Sequence, residues 1–222
     1  MTRNDLFEGK IPMKHAFWHE RWSENRIGFH QSDFNRWLTQ YWSTLGLSGD
    51  ESVFVPLCGK SRDMLWLREQ GHQVTGVELS DLACRDFFAE QGVDIDAIDV
   101  GDFHRRERDG ICLLAGDVFK TTRAALSNPR AIYDRAALIA LPPEMRIDYA
   151  AHIAHLTESG DQILLVALEY DNERNEPPFS VKGDEVRRLY SEEFVIEELD
   201  SANLNEGRFE NQREVVYRLV RK

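Results

Sequence analysis

The sequence predicts an α/β domain: a mostly parallel sheet of seven strands, helices on both faces, and an antiparallel strand pair at the C-terminal edge. Three observations carry that expectation. Apolar runs of strand length alternate with amphipathic stretches of helix length from Ser52 onward. The run Ile163-Leu164-Leu165-Val166-Ala167-Leu168 is continuously apolar, as suits a strand covered on both faces. The last two strand-like runs, Phe194 to Leu199 and Val215 to Val220, have no helix between them and therefore read as an antiparallel pair. Crossovers between the parallel strands are right-handed, which makes the arrangement Rossmann-like.

The elements follow in order. Residues 1–12 are polar and unpatterned, and are expected to be a flexible extension or a cloning remnant, with Met13 an alternative start. Residues 13–222 form one domain, and 13–46 a helical lid at its N-terminus. His15 to Trp22 spaces Phe17, Trp18 and Trp22 as a short helix with an apolar face. Ser32-Asp33 is placed to cap a second helix through Leu45, ended near Gly46. Ser52 to Val55 is a buried strand that meets Pro56-Leu57-Cys58-Gly59-Lys60 and passes into a helix from Ser61 to Gln70. Gly71 stops it. Gln73 to Glu78 is the second strand, and Ser80-Asp81 caps a third helix through Gln91. The charged stretch Asp94 to Asp109 reads as a solvated loop or hairpin. Strands at Gly110 to Ala115 and Ala131 to Tyr133 come next. Then follow a helix opened by Pro142-Pro143, the strand within Asp161 to Tyr170, and a short helix from Asp184 to Tyr190.

The bulk numbers restrict the function. At 222 residues the chain suits one substantial domain rather than two. Its formal net charge of -12 argues against a nucleic-acid partner and against an anionic membrane surface. No apolar run approaches the ~20 residues that span a bilayer. Cys58, Cys84 and Cys112 stand far apart, as reduced thiols of a cytoplasmic protein do. The expected partner is a small molecule, and the expected state a monomer.

In open α/β sheets, ligands bind beyond the carboxyl ends of the strands. The first strand–loop–helix unit places Pro56 to Lys60 there. Gly59 permits close approach of backbone to a ligand at a helix N-terminus. A single glycine, where dinucleotide binders usually carry G-x-G-x-x-G, disfavours a nicotinamide cofactor. Glu78 lies 19 residues after Gly59 at the end of the second strand. There it can accept hydrogen bonds from both ribose hydroxyls of an adenosine, or simply cap the following helix. Gly116-Asp117, after the third parallel strand, is either a common turn or the adenine side, with Asp117 an acceptor for the exocyclic amine. His15, His19 and Glu20 share a helix face but lack further convergent ligands, so no metal site is expected. His30 lies near the proposed site without a catalytic role.

Several segments together resemble the thiopurine S-methyltransferase family. They are Phe17-Trp18-His19-Glu20-Arg21-Trp22, Ile27-Gly28-Phe29-His30-Gln31, Val55 to Lys60, Gly76-Val77-Glu78-Leu79-Ser80, Tyr133-Asp134-Arg135 and Pro177-Pro178-Phe179-Ser180-Val181. The P-L-C-G-K loop is the distinctive one, and the resemblance, closest to bacterial members, runs from about residue 15 to the C-terminus. It implies a class I methyltransferase fold and the cofactor S-adenosyl-L-methionine. It also implies cofactor contacts at Trp22, Leu57, Glu78 and Arg135, with Phe29 and Phe179 toward the substrate.

The implied activity is S-methylation of small aromatic or heterocyclic thiols, with selenium or tellurium compounds as a related detoxification target. Such a transfer needs alignment more than a protein nucleophile. Arg135 is expected to favour an anionic acceptor or hold the cofactor carboxylate, and Asp134 to accept a proton; a plain Asp134–Arg135 ion pair is the alternative. Trp22 and Phe29 flank a glycine-containing turn and suit a water-excluding lid, whereas Trp37 and Trp42 suit a core. A nicotinamide-dependent oxidoreductase and a non-catalytic cofactor-binding protein are the competing readings.

Overall fold

The computed structural model describes residues 15–172, 174–204 and 209–222; the expected extension at 1–12 and the Met13 start lie outside them. At its centre β1 (Ser52–Pro56) pairs in parallel with β2 (Gln73–Glu78) on one side and β6 (Ala131–Arg135) on the other. β5 (Ile111–Ala115) extends the parallel sheet beyond β2, and β7 (Gln162–Glu169) extends it beyond β6. β9 (Arg213–Arg221) lies antiparallel to β7, and β8 (Phe194–Asn203) lies antiparallel to β9. The terminal pair is antiparallel, as its missing helix requires.

Among the described residues the sheet has nine strands rather than seven. The additional two come from the charged stretch, which forms a hairpin of β3 (Ile98–Val100) and β4 (Phe103–Arg108) on the edge of β5. No apolar alternation marks it in the sequence: β3 is exposed throughout, and of β4 only Phe103 and Arg106 are buried. Arg106 is buried, and it reaches Asp81 through two contacts of 2.5 and 3.0 Å and the carbonyl of Ile95 at 3.1 Å. A paired, hydrogen-bonded guanidinium thus sits where an apolar residue would have signalled a strand.

Helices cover both faces. α2 (Arg36–Tyr41), α3 (Asp63–Glu69) and α4 (Asp81–Ala89) pack Trp37, Met64 and Phe87 against Val53, Val55 and Val74. On the other face, α5 (Pro143–His155) and α6 (Gly183–Tyr190) bury Tyr149, Ile153, Val186 and Tyr190 against Phe54 and Val77. Val53 and Phe54 thus belong to opposite cores, which is the period of two of a strand covered on both sides. Ser80 caps α4 by accepting from the Ala83 amide at 3.3 Å, as expected.

The N-terminal segment divides. α1 (His15–Ser23) and the turn that follows it lie over the sheet's carboxyl end. α2 is core: Trp37, Leu38, Trp42 and Leu45 are all buried, so residues 36–45 are no part of a lid. Asn35, not Ser32 or Asp33, caps α2, its Oδ1 accepting from the Trp37 amide at 3.0 Å. A buried Asp63 takes the Asn35 amide at 2.8 Å, a long-range contact that local spacing does not reveal. A 3-10 turn over Trp42–Leu45 completes the segment at Gly46, whose φ is 63°.

Candidate active site

The chain starts at the middle of the sheet, walks outward through β2 to β5, and then resumes on the other side of β1 with β6 and β7. Strand order therefore reverses between β1 and β6, and the crevice beyond their carboxyl ends is where such sheets bind ligands. A cavity of about 1790 Å³ opens there. Trp22, Phe29, Leu57, Glu78, Asp117 and Arg135 all line it. The structure thus gathers six expected site residues from five separate segments of the chain.

The loop after β1 turns sharply, with φ of 46° at Leu57 and 54° at Gly59. A Cβ on Gly59 would also stand 3.0 Å from Cζ2 of Trp22, so glycine is needed there on two grounds. The Gly59 amide donates to Glu78 Oε2 at 3.0 Å, and the Ser80 amide donates to Oε1 at 2.9 Å. The loop amide expected to face a ligand therefore fixes the acidic side chain instead. Glu78 is buried, and burial raises its pKa; the amides of Ser80, Gly59 and Leu79 and the Trp22 side chain act the other way. The Gly59 and Ser80 amides fix the two oxygens in place, and the side chain lines the cavity, where a ligand hydroxyl can reach it.

Asp117 caps a short 3-10 turn, its Oδ1 accepting from the Phe119 amide at 3.0 Å. On the N-terminal side, Trp18 and Trp22 both meet Phe29 edge to face, with centroids 5.9 and 5.6 Å apart. Arg135 donates to the Phe29 carbonyl at 3.3 Å, which ties the aromatic turn to the end of β6.

Three expected site residues do not line the cavity. Gly59 lies beneath the Trp22 indole. Asp134 is buried on the opposite side of β6 from Arg135, because successive strand side chains alternate. It accepts from the Tyr149 hydroxyl at 2.7 Å and the Leu138 amide at 3.3 Å, and it forms no ion pair with Arg135. Burial pushes its pKa up to about 6, against those hydrogen bonds. A carboxylate enclosed in this way holds the turn after β6 and does not line the cavity. Phe179 is also buried, with its amide bound to the Ile139 carbonyl at 2.7 Å and the Arg146 guanidinium 5.9 Å from its ring centroid. Pro177 and Pro178 line the cavity in its place.

Sequence reasoning missed the wall formed by α5 and β9. Met145 and Asp148 on α5 and Glu214 at the start of β9 face the cavity. Strand pairing sets Glu214 opposite Leu168 of β7, a relation between residues far apart in the chain. A charged residue directly before Val215-Val216 was the sole local signal.

The donor set suits S-adenosyl-L-methionine. Glu78 is a buried acceptor at the end of β2, where a ribose is expected, and Asp117 has an oxygen beyond its backbone contact. Arg135 makes no ion pair among the described residues, and so has a charge to offer a carboxylate or an anionic acceptor. The loop has no second glycine to bring backbone against a pyrophosphate.

Comparisons with known proteins agree. The thiopurine S-methyltransferase family model matches residues 13–222. A thiopurine S-methyltransferase of Marinobacter nauticus is 45% identical over 189 residues, covering 84% of this chain and 86% of that one. One from Shewanella pealeana is 42% identical over 218 residues, covering 95% and 100%. Among solved structures, the Burkholderia thailandensis 1,6-didemethyltoxoflavin-N1-methyltransferase, crystallised with S-adenosylhomocysteine, superposes with a TM-score of 0.64. That match has 15% identity and covers 96% of this chain and 93% of that one, which shows the shared class I methyltransferase fold. The loop at Gly59, the buried Glu78 and these relatives converge: the chain belongs to the thiopurine S-methyltransferase family and is an S-adenosyl-L-methionine-dependent methyltransferase.

Proposed function

We propose that this enzyme methylates the sulfur of small aromatic or heterocyclic thiols, with thiopurines as practical assay substrates. The observation that carries the reading is the composition of the cavity. Arg135, which has no ion-pair partner among the described residues, stands beside aromatic and apolar walls supplied by Trp18, Phe29, Ile139, Met145 and Pro177. A flat, readily ionised thiol matches that combination: its ring contacts the walls and its negative sulfur faces the guanidinium.

When bound, the cofactor supplies an electrophilic methyl group on a sulfonium. Glu78 holds the ribose, Asp117 receives the exocyclic amine of adenine, and Trp22 and Leu57 enclose the adenosine end. Arg135 orients a carboxylate or the acceptor anion. The Trp18–Phe29–Trp22 cluster excludes water, which favours a reaction in which opposite charges neutralise each other. Orientation is the main contribution asked of the protein, and it can supply several kcal/mol, up to ~7–11 in favourable cases. Asp134 has a supporting place in this scheme, under the turn that presents Arg135.

Selenium and tellurium compounds share the soft, readily ionised character of thiols, and the same cavity suits their detoxification by methylation. We place the enzyme in the cytoplasm, a reading supported by the free cysteines Cys58, Cys84 and Cys112, and take it to act as a monomer. The test is release of S-adenosylhomocysteine with 6-mercaptopurine, run beside calorimetry with S-adenosylhomocysteine and with NAD. Turnover and selective binding of S-adenosylhomocysteine are expected. Tight NAD binding, or cofactor binding without turnover of any thiol, would contradict the reading.

A further inference from the structure

Among the described residues, the carboxylates that line the cavity are Glu78, Asp117, Glu144, Asp148 and Glu214. They are not equivalent. Glu78 and Asp117 are held by backbone amides on the adenosine side. Glu144 and Asp148 are exposed on α5, where water competes for every hydrogen bond they make. Glu214 differs from all four. It is half-buried at the start of β9, and its register with Leu168 sets it at the carboxyl end of β7, next to the strand that ends in Arg135.

Its orientation is fixed by a side chain. The Trp37 indole donates to Glu214 Oε2 at 2.8 Å. Trp37 is itself buried, with the Arg36 guanidinium 4.2 Å from its ring centroid and Tyr41 packed against it. Among the described residues no donor meets the second oxygen, Oε1, and no cation pairs with the group. Arg135 likewise makes no ion pair among them, and β7 lies between the two groups: it sets Arg135 opposite Val166 and Glu214 opposite Leu168, two residues further along the same face of the strand. An anchored carboxylate and an unpaired guanidinium therefore face one end of the cavity without touching.

We propose that Glu214 is the acceptor-side base of this enzyme: Oε1 accepts the S–H hydrogen bond of a neutral thiol and takes its proton during methyl transfer. The assignment rests on the reading that the acceptor is a thiol. As the acceptor sulfur forms its bond to the methyl group, the bond from that methyl to the sulfonium sulfur breaks, and its electron pair stays on the departing sulfur. The acceptor's S–H bond breaks in the same event, the proton passing to Glu214 and then to water. A thiol sulfur that is being alkylated becomes far more acidic than the free thiol, so a carboxylate within reach can take its proton. Arg135 and Glu214 then divide the work, the first serving acceptors that arrive as thiolates and the second those that arrive protonated.

Glu214→Gln keeps an oxygen for the Trp37 indole and removes the base. Calorimetry with S-adenosylhomocysteine is expected to give an affinity within about twofold of the unmodified enzyme. With 6-mercaptopurine, kcat/KM is expected to fall roughly 10²-fold near pH 7, and by much less near pH 9, where the acceptor is already a thiolate. An unchanged kcat/KM at both pH values, or a loss independent of pH, would overturn the assignment. Weakened S-adenosylhomocysteine binding would overturn it too, because Glu214 would then serve the cofactor. If the unmodified enzyme binds S-adenosylhomocysteine but turns over no thiol, the thiol reading itself fails and this inference fails with it.

Discussion

The hydroxyl of Tyr149 donates a 2.7 Å hydrogen bond to the carboxylate of Asp134, directly beneath the turn that presents Arg135 to the cavity. In that turn Ala136 has a φ of 68°, and the Leu138 amide returns to Asp134 at 3.3 Å. Asp134 therefore couples the geometry of Arg135 to the ionisation of a buried group. Its pKa is raised from 3.8 to about 6. Between those values the folded state binds more protons than the unfolded one, so stability falls as pH rises through that window. Asp134→Asn should abolish that fall, worth up to about 3 kcal/mol. Chemical denaturation at about pH 4 and about pH 7 measures it; a variant with the same pH dependence as the unmodified protein would contradict the prediction.

Arg135→Ala should separate activity from folding. Among the described residues its side chain makes one hydrogen bond, of 3.3 Å, so its loss should change the unfolding free energy by less than about 0.5 kcal/mol. A charge-assisted contact to cofactor or acceptor is worth about 1.5–3 kcal/mol, which predicts a fall in kcat/KM of roughly 10- to 100-fold. Steady-state kinetics on a variant with an unaltered melting curve checks both halves.

Gly59→Ala places a Cβ at positive φ and 3.0 Å from the Trp22 ring. Its expected cost is about 1 kcal/mol or more in stability, with weaker cofactor binding as the Trp22 indole is displaced. Thermal unfolding with and without S-adenosylhomocysteine should show a lower Tm and a smaller ligand-induced rise. An unshifted Tm would mean that the loop relaxes freely.

The lid should respond to the cofactor. Arg21 of α1 bonds Glu176 at 3.1 Å, just before Pro177, so the first helix and the substrate-side loop already touch. Hydrogen exchange across residues 15–31 should slow on saturation with S-adenosylhomocysteine. Unchanged exchange there would argue for a rigid wall instead.

Legibility of the molecule in its sequence followed the range of the interactions. Val53 to Val55 and the run from Ile163 to Leu168 declared themselves, because a strand buried on both faces leaves no room for polar residues. Ser80 was legible as a cap because capping is local. The hairpin over Ile98–Arg108 was left open because Arg106 is satisfied by Asp81, 25 residues earlier. Leu57, Glu78 and Arg135 could be expected at the cavity from motif and resemblance, since each stands at or just after the end of a strand. Asp134 and Phe179 could not be placed correctly by adjacency alone: strand alternation turns Asp134 away from Arg135, and the Ile139 contact turns Phe179 inward. Glu214 was invisible because only the pairing of β9 with β7 brings it to the crevice.

Glu78 is the group proposed to hold the cofactor, and titration calorimetry of S-adenosylhomocysteine against the unmodified enzyme and Glu78→Gln tests it. The unmodified enzyme should bind, and the variant, in which an amide nitrogen replaces one acceptor oxygen and the negative charge is lost, should bind at least about tenfold more weakly. Equal affinities in a variant that folds normally would contradict it.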